Sequence, residues 1–228
     1  MTDNSNTIKL MAKNLRCEHA REPVGLDVLK PRFSWIIDIE ADAKENMLRN
    51  IIQKAYRIQV SKGDEHFANL VWDSGKVESD QSVHVEYNGE NLEARTRYYY
   101  RVKIWDRYGN ESPWSEPSFW ETGLLNANQW IAKWITADTS KFTSEMDPCP
   151  YIRKEFKTEG KIKRARVYAT ALGLYELRLN GEKVGDYLFT PGWTSYNKRI
   201  QYQTYDVTSL LNEGQNAVGI VLGNGWYK

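Results

Sequence analysis

The stretch Gly173-Leu174-Tyr175-Glu176-Leu177-Arg178-Leu179-Asn180-Gly181-Glu182-Lys183-Val184-Gly185-Asp186 decides the fold of this chain. Tyr175, Leu177 and Leu179 alternate with Glu176, Arg178 and Asn180, the period of two that marks a strand with one buried face. Asn180-Gly181 then supplies two residues that tolerate positive φ, as a two-residue hairpin requires. Three further pieces continue the region: Thr190-Pro191-Gly192-Trp193, Gln201-Tyr202-Gln203-Thr204-Tyr205-Asp206-Val207-Thr208, and Gly223-Asn224-Gly225-Trp226-Tyr227-Lys228.

Toward the N-terminus the same period recurs in short runs. Phe33, Trp35 and Ile37 alternate with Ser34 and Ile36, and Tyr56, Ile58 and Val60 alternate with Arg57 and Gln59 before Ser61-Lys62-Gly63-Asp64 breaks the run. Val83, Val85 and Tyr87 repeat the pattern ahead of Asn88-Gly89, and Tyr98, Tyr100, Val102 and Ile104 form its longest instance. Residues 40–50 carry charge without an apolar period and read as a loop. Short strands punctuated by turn residues predict a β-sandwich over 14–124, with a polar tail over 1–13. Pro113 and Pro117 flank its last strand and predict an edge or bulged position for it, because proline cannot donate to a ladder.

Gly123 to Gln129 is a short polar connection, and a second all-β unit is expected over 128–228, opened by Trp130–Ile135. Residues 137–150 read as a long loop, and Tyr151–Phe156 and Ala165–Ala171 as strands. Thr208 is expected to cap a helical turn ending at Gly214. The small and apolar run Ala217–Leu222 suits a strand buried on both sides.

Composition narrows the function classes. Lys and Arg total 31 against 30 acids, so no global field favours nucleic acid or an anionic membrane. The densest basic segment, Arg153–Arg166, holds seven basic and two acidic residues and reads as solvated strand faces. No apolar run approaches the roughly 20 residues that span a bilayer. Met1-Thr2-Asp3-Asn4-Ser5-Asn6-Thr7 lacks the basic-then-apolar order of a signal peptide, so a cytoplasmic location is expected. Cys17 and Cys149 are the only cysteines and are expected to be separate and reduced.

Two resemblances follow from these motifs. Leu92, Thr96, Tyr98, Tyr100 and Val102 resemble the tyrosine-corner region of fibronectin type III domains, where a tyrosine hydroxyl bonds a backbone group across a turn. Trp114-Ser115-Glu116-Pro117-Ser118 is similar to the last-strand signature of the same fold. The combined motif over 128–228 resembles the N-terminal domain of bacterial α-L-rhamnosidases, and its sandwich resembles jelly-roll carbohydrate-binding modules. The implied fold class is all-β: a fibronectin type III-like sandwich followed by an incomplete jelly-roll β-sandwich. The resemblance implies an inverting glycoside hydrolase whose two glutamates lie in a helical barrel C-terminal to this region. Its partners would be that barrel and a rhamnose-containing glycoside. The chain is therefore expected to be a fragment, inactive alone, acting as a scaffold or substrate-side wall.

The residues themselves agree with a non-catalytic reading. Inversion needs two carboxyls about 6.5–9.5 Å apart across the scissile bond, and no residue here matches the barrel's motifs, so no catalytic residue is assigned. Glu176 and Glu182 read as solvated. His19, His66 and His84 lack metal-ligand spacing, no dense Asp/Asn run suggests calcium, and no metal or cofactor is expected. Ser195 lacks the glycines of a nucleophile elbow, and Gly223-Asn224-Gly225 reads as a turn. Sugar binding is the better candidate chemistry, since pyranose C–H faces pack on Trp and Tyr while amides take hydroxyls. Trp193, Tyr196 and Asn197 form one candidate cluster, and Asn224, Trp226 and Tyr227 another. The competing expectation, preferred from sequence, makes Trp193 and Trp226 core or domain-interface residues. A freestanding carbohydrate-binding protein is the alternative function. An adhesion or receptor-type protein is a third, opposed by the missing signal peptide and disulfides.

Overall fold

The computed structural model describes residues 10–39, 52–138, 140 and 149–227, which form strands and short 3-10 turns with no α-helix among the described residues. The chain divides into two units, Met1–Trp130 and Ile131–Lys228.

In the first unit β1 (Leu10–Cys17), β3 (Arg32–Ile39) and β7 (Val85–Glu86) form one sheet. The other sheet runs β2 (Val24–Leu26), β9 (Ser118–Thr122), β8 (Arg97–Asp106), β4 (Gln53–Lys62) and β5 (Leu70–Asp73), with β6 (Val77–Glu78) also pairing with β4. The alternation seen in sequence explains both. Tyr98, Tyr100, Val102 and Ile104 of β8 point inward, as do Ile58 and Val60 of β4 and Phe33 and Trp35 of β3. At the centre Trp120 is fully buried, with ring centroids of Tyr98 at 5.1 Å, Phe33 at 5.3 Å and Tyr100 at 5.8 Å. Large aromatic rings contribute heavily here because each removes much apolar area from water.

Tyr98 also makes the bond anticipated for a tyrosine corner: its hydroxyl accepts the Glu93 backbone N–H at 2.8 Å. Gln53, 1% exposed, is satisfied within the core. It accepts from Trp35 Nε1 at 2.9 Å and donates to the carbonyls of Ser79 and Gln81. The Cys17 thiol is buried and pushed well above its ordinary range, first by desolvation and then by Glu18. Both cysteines are free, Cys149 on the surface.

Irregular segments complete the sheet through hydroxyls. Ser115 donates its N–H to the Val102 carbonyl while its Oγ accepts the Val102 N–H, and Ser112 does the same with Ile104. Ser74 pairs this way with Ile58, and Thr122 with Thr96. Each hydroxyl replaces a backbone carbonyl as acceptor, so buried N–H groups are satisfied where proline or a turn prevents an ordinary ladder. Two expectations are corrected here. The last strand begins at Ser118, after Pro117, and lies between β2 and β8 instead of at an edge. Residues 10–13, read as tail, belong to β1, whose inward side chains include buried Leu10 and Ala12. The rest of the tail, the 40–50 loop and most of the 137–150 loop lie outside the described residues.

In the second unit β10 (Tyr151–Thr158), β15 (Gly214–Gly223), β12 (Leu174–Leu179) and β13 (Glu182–Lys183) form one antiparallel sheet, in that order. A second sheet pairs β11 (Arg166–Ala169) with β14 (Gln203–Asp206). One core lies between them: Tyr175, Leu177 and Leu179 of β12 pack with Val184, Tyr205 and Val207, joined by Ile220 and Leu222 of β15. The hairpin after β12 is the expected one, with Asn180 at φ 51° and Gly181 at φ 90°. Gly173 sits at φ +89°, and a Cβ there would stand 2.5 Å from the Asn224 carbonyl oxygen and also strike that of Gly223.

Trp130 ends the 3-10 turn Ala127–Gln129, and no strand follows before β10 among the described residues. Two expectations are corrected in this unit. Strand β15 is half-buried along its length, not enclosed on both faces. Thr208 lies inside the 3-10 turn Thr208–Leu210, not at its cap, and its Oγ1 accepts the Ala165 N–H at 3.0 Å.

Candidate functional site

Between β13 and β14 the chain is pinned and then released. Thr190 bonds Tyr175 twice, receiving the Tyr175 N–H at 2.8 Å on its carbonyl and donating its hydroxyl to the Tyr175 carbonyl at 2.6 Å. The Pro191 carbonyl accepts from Gln203 Nε2 at 3.0 Å. Gly192 turns at φ +101°, a value few side chains tolerate, and Trp193 emerges 69% exposed. A turn follows in which the Ser195 carbonyl accepts the N–H groups of Lys198 and Arg199, at 2.7 and 2.9 Å, presenting Tyr196 and Asn197. The end of β15 behaves similarly. The Asn224 carbonyl accepts the Tyr227 N–H at 3.1 Å, Gly225 takes φ 54°, and Trp226 projects 56% exposed.

These two turns bring most of the sequence candidates together. The Trp193 and Trp226 rings stack with centroids 5.5 Å apart and planes at 15°. Tyr196 meets Tyr227 edge-on at 5.5 Å and 88°. Tyr196, Asn197 and Tyr227 line a groove of about 520 Å³ with Trp134, Leu172 and Ile200. The Tyr196 hydroxyl is closed off from water and finds no hydrogen-bond partner among the described residues. Asn224 contributes through its turn and does not line the groove. Of the expectation that Trp193 and Trp226 are core or domain-interface residues, the core half is corrected: both stand more than half exposed, outside the cluster around Tyr175. Trp134, Leu172 and Ile200 were missed. For Trp134 the signal was the aromatic and apolar run Trp130–Ile135 that opens the second unit.

A second groove, about 220 Å³, lies by Tyr187, Leu188 and Phe189, which are 61%, 73% and 71% exposed. Beneath it Tyr175 and Tyr205 share a hydroxyl contact of 3.1 Å, and Tyr175 donates to Gln203 Oε1 at 2.8 Å. Burial pushes both phenols up from their ordinary range, so they act as neutral struts.

Several carboxylates are held in ion pairs. Glu176 pairs with Arg178 at 2.8 Å and with Lys183 at 3.7 Å. Asp73 receives two bonds from Arg57, at 2.8 and 2.6 Å, and one from Gln59 at 2.8 Å. The Arg57 bonds, with the others, hold Asp73 down at about 2 despite partial desolvation. His19 and His84 meet ring to ring at 4.8 Å. Among the described residues no three His, Cys, Asp or Glu are grouped to hold a metal, and no helix is long and apolar enough to cross a membrane.

Comparison with known proteins assigns both units. Residues 12–126 match the family described as the Rha78A-like N-terminal immunoglobulin domain, and residues 160–228 match the α-L-rhamnosidase N-terminal domain. An α-L-rhamnosidase of Formosa agariphila is 41% identical over 90% of this chain and 23% of its own length. The solved α-L-rhamnosidase of Dictyoglumus thermophilum is 39% identical with a TM-score of 0.82, over 95% of this chain and 25% of its own. That of Streptomyces avermitilis, solved with L-rhamnose, is 26% identical with a TM-score of 0.85, over 96% and 37%.

Proposed function

Because the chain belongs to the α-L-rhamnosidase family, matching its N-terminal region, we propose that it serves as a non-catalytic accessory part of an enzyme that hydrolyses terminal α-L-rhamnosides. The observation that carries this reading is the extent of the match. Two N-terminal domain families match within the two units, over 12–126 and 160–228, yet the chain spans about a quarter of the length of relatives such as those of Formosa agariphila and Dictyoglumus thermophilum. The engagement of Glu176 and Asp73 in ion pairs supports a structural use of these acids.

The accessory role is one of scaffold. Three consecutive exposed apolar side chains, Tyr187, Leu188 and Phe189, are costly to leave in water, and a patch of this kind suits an interface. Its proposed occupant is the remaining part of the rhamnosidase. The stacked, exposed Trp193 and Trp226 favour a second reading, in which the second unit itself holds sugar.

Two assays test the accessory reading. Purified chain should not hydrolyse an aryl α-L-rhamnoside, whereas turnover abolished by mutating one of its own acids would refute it. Exchanging the matching region of the Dictyoglumus thermophilum enzyme for this chain should preserve hydrolysis. Leu188→Ser together with Phe189→Ser in that chimera should weaken it while leaving the second unit folded. A folded but inactive chimera would contradict the reading.

A further inference from the structure

We infer that the groove lined by Trp134, Tyr196, Asn197 and Tyr227, with the Trp193–Trp226 pair adjoining it, is a non-catalytic binding site for a pyranoside. Three independent features converge. The indoles are exposed and stacked in parallel, at 5.5 Å and 15°, so an outer ring face stays open to an apolar C–H surface. The groove's volume of about 520 Å³ lies within the range of small-molecule sites, about 300–1,000 Å³. It is not wholly apolar, because Asn197 brings an exposed amide that can both donate and accept.

The Tyr196 hydroxyl adds a fourth observation. A polar group shut away without a partner requires an explanation. A glycoside hydroxyl that reaches the groove floor, with a small rotation of the tyrosine, supplies one. A pyranoside matches this combination of an amide and an orphan hydroxyl set beside open ring faces.

The backbone holds the site in advance. Thr190 and Pro191 fix one turn to β12 and β14, and the close approach of Gly173 to the Gly223 and Asn224 carbonyls fixes the other. Little ordering remains to be done on binding, which favours affinity. No acid pair lines the groove, so bound sugar is held and not cleaved. The choice of α-L-rhamnoside as the preferred sugar rests on the proposed function, whereas the presence of a pyranoside site does not.

The test follows the tryptophan indole N–H resonances of the ¹⁵N-labelled chain during titration with methyl α-L-rhamnoside, and in parallel with methyl α-D-glucoside. The Trp193 and Trp226 signals are assigned from Trp→Phe variants. Saturable shifts of these two signals with the rhamnoside are expected, with binding at least tenfold weaker in Asn197→Ala and Trp226→Ala. Shifts with the glucoside alone would support the site and contradict its assignment to rhamnosides, leaving the accessory reading to its own assays. Absence of saturable shifts with both sugars, or unchanged affinity in Asn197→Ala, would overturn the inference. Asn197→Ala keeps the test decisive even if Trp226→Ala does not fold.

Discussion

In the first unit Trp120 is fully enclosed by Tyr98, Tyr100 and Phe33, whereas in the second Trp193 and Trp226 stack on each other and stand 69% and 56% exposed. Both arrangements stack aromatic rings, yet they do different things. Burial converts the area of Trp120 into stability, while the second unit draws its core from Tyr175, Leu177 and Leu179 and leaves indole faces to solvent. Residue type alone therefore does not locate a core. The backbone around each tryptophan decides: Trp120 lies within β9 between two strands, and Trp193 and Trp226 follow glycine turns.

The sharpest way to break this contrast is at its buried end. Trp120→Ala should cost about 3–5 kcal/mol, as large-to-small changes at aromatic core sites do. Thermal denaturation should show the first unit losing its cooperative transition. A mild effect would mean that the surrounding rings collapse into the space.

Next in size is Gly173→Ala. It forces a side chain into φ +89°, a strain on the order of 1–3 kcal/mol, and drives a Cβ against two backbone carbonyls that cannot yield cheaply. The second unit should melt well below the wild type and the Trp193–Trp226 contact should open, which indole resonances would detect. A native spectrum would show that the turn does not depend on this approach.

Tyr98→Phe probes the first unit more gently. The Glu93 N–H loses its acceptor, so a cost of about 1–3 kcal/mol is expected in the first unit and none in the second. An unchanged first transition would mean that water replaces the phenol.

The contrast also carries a pH signature. The folded Asp73 carboxyl, at about 2, lies below its ordinary 3.8 because Arg57 hydrogen-bonds it. Its contribution is therefore complete above about pH 4 and is lost as pH falls through about 2. Urea midpoints of the first unit should decline across that window, and Asp73→Asn should flatten the decline. An equal slope in the variant would assign the loss to other carboxylates, such as Glu18, which Arg32 holds down.

How much of this was legible in the sequence follows from how local each signal is. The β12 hairpin and the Tyr98 corner were readable because alternation, Asn180-Gly181 and a bond spanning five residues are local. The serine rungs were not, since the role of Ser74 appears only when Ile58 lies beside it, sixteen residues away. The interior place of β9 was hidden for the same reason: it depends on parallel pairing with β2, roughly a hundred residues earlier in the chain. At the candidate site, sequence named the six residues in two clusters but not their union. Stacking of Trp193 on Trp226 requires two distant turns to meet, and their exposure depends on what the fold leaves uncovered.

The smallest expected effect tests the central contrast most directly. Trp193→Ala and Trp226→Ala each remove one exposed ring and a stacking contact of about 0.5–1.5 kcal/mol. Guanidinium unfolding followed by far-ultraviolet circular dichroism, with Trp120→Ala alongside, sets surface against core in one experiment. The account predicts that both surface variants keep the second unit's midpoint close to wild type while Trp120→Ala loses the first unit's transition. A loss of about 3–5 kcal/mol in either surface variant, the size expected of a core tryptophan, would contradict it.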